Sequence, residues 1–312
     1  MMGFYDKLAR CGWHPRPADV DAVLATLPMP RFCQAAPSLK DTGNRDVLHW
    51  RAEEKVLGKR LPAHNQTRGT CVSQGYGRGA QDLMFIEIAI KGESEEWRGQ
   101  VATEPIYAGS RVEIGGGQLG NDDGSVGAWA AKWVQQYGIL LRQKYGKWDF
   151  SEPNDELAAE LGARGVGVPD ELEPVAKEHP VKTISQCLTG EEAADGLCNW
   201  YPLPICSDQG FTEDRDRNGF CKPRGTWYHC MLARGHCVVK GNRPAVAIQQ
   251  SWNGHSPTGN DRVTLESGEE ITLPQGVFLI DLEVCDRMVS QGDSFFLSNF
   301  EGFPSQLDHV LI

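Results

Sequence analysis

The sequence lacks any basic excess: 31 Lys and Arg stand against 42 Asp and Glu, a net charge of −11. That balance argues against nucleic acid or an anionic membrane as the main partner. No apolar run is long enough to span a bilayer. The opening residues, Met1-Met2-Gly3-Phe4-Tyr5-Asp6, lack the apolar core of a secretory signal. The chain is therefore expected to be cytoplasmic, or virion-associated if a phage encodes it. CxxC pairs are missing as well, although ten cysteines stand at 11, 33, 71, 187, 198, 206, 221, 230, 237 and 285. This argues against a zinc ribbon or a thioredoxin-like site. The nearest metal pattern is His229-Cys230 with His236-Cys237. On a strand, 229 and 237 share one face and 230 and 236 the other, so one ion does not easily collect all four. No metal and no cofactor are expected. Most cysteines read as buried and reduced. A disulfide in the 187–221 region stays open for an oxidising compartment.

Two further motifs are incomplete. The glycine-rich run from Ile114-Gly115-Gly116-Gly117 to Asp122-Asp123-Gly124 has no GxxxxGK[ST] lysine, so it does not read as a phosphate cradle. Asp214-x-Asp216-x-Asn218-Gly219 copies the first half of a calcium loop, but the position of its final acid is held by Gly225. It reads as a polar turn. No internal repeat is present.

What the chain does have is an ordered set. Asn65-Gln66-Thr67-Arg68-Gly69-Thr70-Cys71-Val72 stands directly before a helix-like apolar stretch; Gly225-Thr226-Trp227-Tyr228-His229-Cys230 and Ile248-Gln249-Gln250-Ser251-Trp252 follow far downstream. This is the chain order of a cysteine nucleophile, its base and the group that orients the base. A thiol attacks a carbonyl as thiolate, and a helix N-terminus and a nearby imidazolium both lower its pKa. Cys71 is placed for the first condition and His229 for the second. The backbone N–H of Cys71 and the side-chain amide of Gln66 are candidate donors to an oxyanion. Gln250 is the candidate partner for the imidazole; Gln249 and Asn253 are its neighbouring substitutes. Gly75, Gly77 and Gly79 in the first helical turns predict close packing or a close backbone approach.

At these residues the sequence resembles the papain-like (C1-type) cysteine peptidases, in the form met in bacteria and phages. Arg68-Gly69-Thr70-Cys71-Val72 matches the nucleophile motif. His49-Trp50-Arg51 resembles the Asp-Trp-Arg that opens the mature domain. Ala130–Ile139 resembles the second helix and its exit, and Gln250-Ser251-Trp252 resembles the Asn-Ser-Trp motif. The resemblance spans roughly residues 47–290. It implies a cysteine endopeptidase with Cys71, His229, Gln250 and Gln66 in the reaction, and Trp252 shielding the His–amide bond. Trp252, Gly116 and Gly117 are expected on the substrate side. Departures are that Gln66 stands five residues before Cys71 instead of six, that Arg68 replaces a disulfide cysteine, and that Gln250 replaces asparagine.

The implied fold is α+β and two-lobed, with a helical N-terminal lobe, an antiparallel β C-terminal lobe and the site in the cleft. Residues 1–45 read as an N-terminal arm or pro-like segment. Residues 46–312 read as the peptidase domain: helical lobe about 62–200, β lobe about 201–290, extension 291–312. Three functions stay open. One is an active endopeptidase on polypeptide substrates, processing a protein assembly such as a phage particle. Another is a catalytically silent structural or binding protein. The third is a Cys-His amidase acting on peptidoglycan peptides.

Overall fold

The computed structural model describes residues 10–91, 96–179, 181–252 and 257–307. Asn253 and His255 lie outside them. After the arm, helix α1 (Pro17–Leu24) starts on a proline, which suits a first turn that needs no N–H, and buries Val20, Val23 and Leu24. Helix α2 (Trp50–Leu57) ends at Gly58, whose φ of 67° a residue with a Cβ adopts only at a cost. Helix α3 (Cys71–Lys91) runs through the helical lobe, which α4 (Glu104–Gly109), α5 (Gly127–Gln136) and α6 (Asp155–Leu161) complete. Val72, Tyr76, Ile106, Trp129, Trp133 and Phe150 share its core.

The glycines of α3 do what their sequence positions predict. A Cβ on Gly75 would lie 2.8 Å from Cys230 Sγ, one on Gly77 2.7 Å from Thr103 Cγ2, and one on Gly79 3.0 Å from Leu297 Cδ1. Neighbouring elements therefore close on this helix from several sides. Ser125 is a plausible N-cap of the next helix by sequence. Instead Val126 holds that place without a side-chain bond, and Asp293, far along the chain, accepts the N–H groups of Gly127 and Ala128. Ser125 spends its hydroxyl on Ser110. Gly138, at φ 84°, stops the helix as expected.

Residues 151–195, which read as helical, also contain a strand. Here β2 (Thr183–Gln186) pairs antiparallel with Phe295–Ser298 before α7 (Gly190–Cys198) begins. Ile184 and Leu297 oppose each other in the register and are buried together in the helical-lobe core. Long-range pairing of this kind outweighs local helix preference.

The β lobe is a five-stranded antiparallel sheet of β1 (Val47–Leu48), β3 (Leu203–Phe211), β4 (Pro223–Val239), β5 (Arg243–Gln249) and β6 (Val277–Asp281). His229–Leu232 and Cys237–Lys240 read as two strands in the sequence. They are one, with a register shift between Ala233 and His236. The period of two splits β5 and β6 cleanly. Val246, Ile248, Phe278 and Ile280 face one core, and Ala245, Ala247, Val277 and Leu279 the other. Helix α8 (Leu282–Val289) follows β6.

A buried ionic cluster ties the lobes. Arg234 of β4 donates to Asp82 of α3 at 2.8 and 2.9 Å, to Glu53 of α2 at 3.0 Å and to Gln249 of β5 at 2.8 Å. Arg78 of α3 adds a 2.7 Å bond to Glu53. The Asp214–Gly219 segment forms a turn in which Asp216 accepts the N–H groups of Asn218 and Phe220. Cys187, Cys198, Cys206 and Cys221 are free thiols, with no disulfide in the 187–221 region. No helix among the described residues is long and apolar enough to cross a membrane.

Candidate active site

Cys71 opens α3, and Gly75, one turn on, lets β4 come against the helix at Cys230, the neighbour of His229. The Cys71 thiol receives the backbone N–H of Gly12 from the arm at 3.3 Å. Burial pushes its pKa well above the ordinary range, the nearby thiols of Cys230 and Cys11 push the same way, and the nearby backbone N–H groups oppose them. His229 is wholly buried, with its imidazole pKa lowered to about 3 by burial. Trp252 covers it, ring centroids 4.6 Å apart, and Trp227 backs Trp252 at 5.1 Å. Thiol and imidazole are thus both held neutral in this closed form.

The loop before Cys71 is pinned by its side chains. Asp155 accepts from Thr67 N–H at 2.5 Å and from Thr70 Oγ1 at 2.9 Å, and Arg68 pairs with Asp123 and Glu156, each at 3.0 Å. Gln66 bonds to Ser251 through both main chain and side chain, and Asn65 bridges to Trp252. The candidate donor and the segment after β5 are thereby one unit. Gln250 is buried at the exit of β5. It shares with Cys230, His64, Gln74 and Arg78 the wall of a small cavity behind the thiol. Gln249 lines the same cavity and bonds to Arg234 and to the carbonyl of Gln275.

The arm was not placed by any sequence motif, yet it fills the centre of this site. Gln66 Nε2 donates at 2.6 Å to the carbonyl of Arg10 and at 2.7 Å to that of Arg68. Gly12 accepts from Ser125 N–H at 2.8 Å, Trp13 N–H donates to Tyr228 O at 3.0 Å, and His14 N–H donates to Ser125 O at 3.0 Å. The chain is held from the helical lobe by Ser125 and from the β lobe by the residue before His229. Gly12 is required here, because a Cβ on it would lie 2.0 Å from the carbonyl oxygen of Gly69. At Cys71 the arm presents an N–H and not a carbonyl carbon, so it is seated without being set up for attack. The Trp13 indole N–H reaches Asp293 at 2.7 Å. Burial raises that carboxyl to about 7, against the Trp13, Gly127 and Ala128 N–H bonds.

Gln66 is tied to Ser251 and Asn65 to Trp252, and Trp252 covers His229, but neither ring nitrogen of His229 has a hydrogen-bond partner among the described residues. Gly116 and Gly117 do not join them. Both have positive φ in the turn that ends a π-helical stretch, and Gly117 packs beside Arg164. It is the far end of the same glycine-rich run, Gly124-Ser125, that meets the arm. The run is simply long enough to leave the cleft. Arg10, Gly12, Trp13 and Asp293 carried no signal of spacing. His236 is engaged elsewhere, with Nδ1 2.8 Å from Arg45 O, and among the described residues no three His, Cys, Asp or Glu side chains gather as metal ligands.

The arrangement is a helix-borne thiol, a strand-borne imidazole under a tryptophan, and an amide donor, all at the junction of a helical and a β lobe. That defines the papain-like cysteine protease fold. Solved structures agree. Xylellain, a cysteine protease from Xylella fastidiosa, aligns over 96% of this chain and 100% of its own at a TM-score of 0.55 and 15% identity. Procathepsin B S9 from Trypanosoma congolense aligns over 95% of this chain and 88% of its own, TM-score 0.54, 12% identity. Digestive procathepsin L 3 of Tenebrio molitor larval midgut aligns over 95% and 78%, TM-score 0.52, 12% identity. No family model and no curated protein sequence matches the chain.

Proposed function

We propose that this chain is a cysteine endopeptidase held latent by residues 10–14 of its own N-terminal arm. The carrying observation is that one short stretch of arm main chain occupies both the Gln66 amide and the Cys71 thiol. When the arm leaves, water reaches the thiol and the imidazole, lowering the one pKa and raising the other. The Cys71 proton then passes to His229 and the thiolate attacks a peptide carbonyl. Gln66 and the Cys71 N–H receive the oxyanion. His229 returns its proton to the leaving amine, and a water activated by His229 then releases the acyl group from Cys71. Gln250 orients the imidazole and Trp252 keeps water from that contact. The substrate is an extended polypeptide, as the seated arm is. Origin in a phage or bacterium, and processing of an assembly, rest on the Arg68–Val72 motif alone.

The full chain carrying Gly12→Val should have its arm displaced by the clash with Gly69. It should hydrolyse an unfolded protein substrate, and adding Cys71→Ala should abolish this. Hydrolysis that survives Cys71→Ala would overturn the reading. A chain that cleaves purified cell-wall stem peptides but no unfolded protein would favour the amidase. A chain whose Cys71 is open to alkylation and cleaves neither would be the silent binding protein, the reading that Gln250 in the asparagine position favours.

A further inference from the structure

Resting on that reading of the cleft, we infer that the pocket holding Trp13 is a substrate side-chain pocket, and that Asp293 at its floor makes it select tryptophan. The main chain of Trp13 is clamped from both sides beside the nucleophile, by Ser125 of the helical lobe and by Tyr228 of the β lobe. An extended substrate has the same two partners available to it, and its side chain at that position enters the same pocket. The indole is almost wholly buried, and the Tyr228 ring stands 6.1 Å from it. One polar atom receives it, Asp293 Oδ2, at 2.7 Å from Nε1.

The other bonds of Asp293 decide between a cation and a neutral donor. The carboxylate already accepts Gly127 N–H at 2.7 Å and Ala128 N–H at 2.6 Å. Both come from the first turn of α5, where the helix end itself favours an anion. Two of its hydrogen bonds are thus supplied by the helix before any ligand arrives. What remains open is a directed lone pair in an apolar setting, which suits an indole N–H and gives a hydrated guanidinium or ammonium little return for its desolvation. Phenylalanine fills the ring space but leaves a buried acceptor without its donor, a loss worth about tenfold or more.

The test uses the full chain with Gly12→Val and three extended, glycine-based peptides that differ only in one Trp, Phe or Arg. The readout is the concentration of each that halves the rate at which iodoacetamide labels Cys71. The Trp peptide should protect at about one tenth the concentration of the Phe peptide, and the Arg peptide should be no better than Phe. In the same chain with Asp293→Asn the Trp advantage should shrink to about threefold or less. Equal protection by Trp and Phe, or strongest protection by Arg, overturns the inference. A second measurement does not depend on Asp293→Asn folding. Trp13→Phe in the otherwise unchanged chain should raise Cys71 labelling about tenfold, and an unchanged rate counts against the pocket. Incubating the same peptides without iodoacetamide separates the two claims. Selective protection without cleavage leaves the pocket standing and removes the peptidase. Cleavage without selectivity does the reverse.

Discussion

At the residue scale, burial acts on Cys71 and His229 in opposite directions. Burial raises the thiol and lowers the imidazole to about 3. In the unfolded chain a histidine titrates near about 6.5. The folded form therefore binds fewer protons in that range, so the His229 contribution is whole above about pH 6.5 and drains away as pH falls towards 3. Each unit is worth about 1.4 kcal/mol, which makes this one group matter to acid stability. His49, also lowered to about 3, adds its own share. Urea unfolding at pH 7 and pH 4 should show a smaller difference for His229→Gln than for the parent chain; an unchanged difference would mean that His229 is not buried as described. The closed form also reverses a simple sequence expectation. Cys71 at a helix start reads as the most reactive thiol, but in the parent chain it should label more slowly than the exposed Cys33. Timed alkylation with peptide mapping checks this, and faster labelling of Cys71 would show that the arm does not cover it. Cys71, Gln66, His229 and Gln250 stand out as candidates in the sequence because each sits in a local motif. Trp13 and Asp293 do not, because their meeting joins residues 280 apart in the chain.

At the scale of elements, the decisive contact is between α3 and β4. Gly75 permits it, and its role was readable as one of three glycines too costly for a helix interior without a reason. Gly75→Ala puts a methyl 2.8 Å from Cys230 Sγ. The strand must move off the helix, at a cost of about 1–3 kcal/mol. In the arm-displaced chain the change should lower hydrolysis more than it lowers substrate binding, since it moves the strand that carries His229 off the helix that carries Cys71. Normal stability and normal turnover in Gly75→Ala would contradict this packing. The strands of the β lobe are readable from their alternation, but β4 reads as two strands and β2 as part of a helical stretch. A register shift interrupts the periodicity of the first, and the second is held by a partner more than a hundred residues away.

At the scale of the whole molecule, two lobes are joined behind the cleft by Arg234, Arg78, Glu53 and Asp82, all buried. Four charges that cancel hold three elements in register, and none of this is visible in the sequence because the partners are scattered over residues 53–234. Glu53→Gln leaves two guanidinium groups short of a counter-charge and should cost about 3–5 kcal/mol. Denaturant unfolding measures it, and a loss below about 1 kcal/mol would mean that the cluster does not hold the lobes together. In front of the cleft, the arm crosses the same junction and closes it. The claim that joins these scales is that arm residues 10–14 sit on a working Cys–His pair. Its most direct test follows two rates together, Cys71 alkylation and hydrolysis of an unfolded protein, in the parent chain, in Gly12→Val and in Gly12→Val with His229→Ala. Both rates should rise by at least about tenfold with Gly12→Val. His229→Ala should then remove hydrolysis while leaving Cys71 accessible. If Gly12→Val exposes Cys71 and hydrolysis still does not appear, or if it persists without His229, the account is wrong.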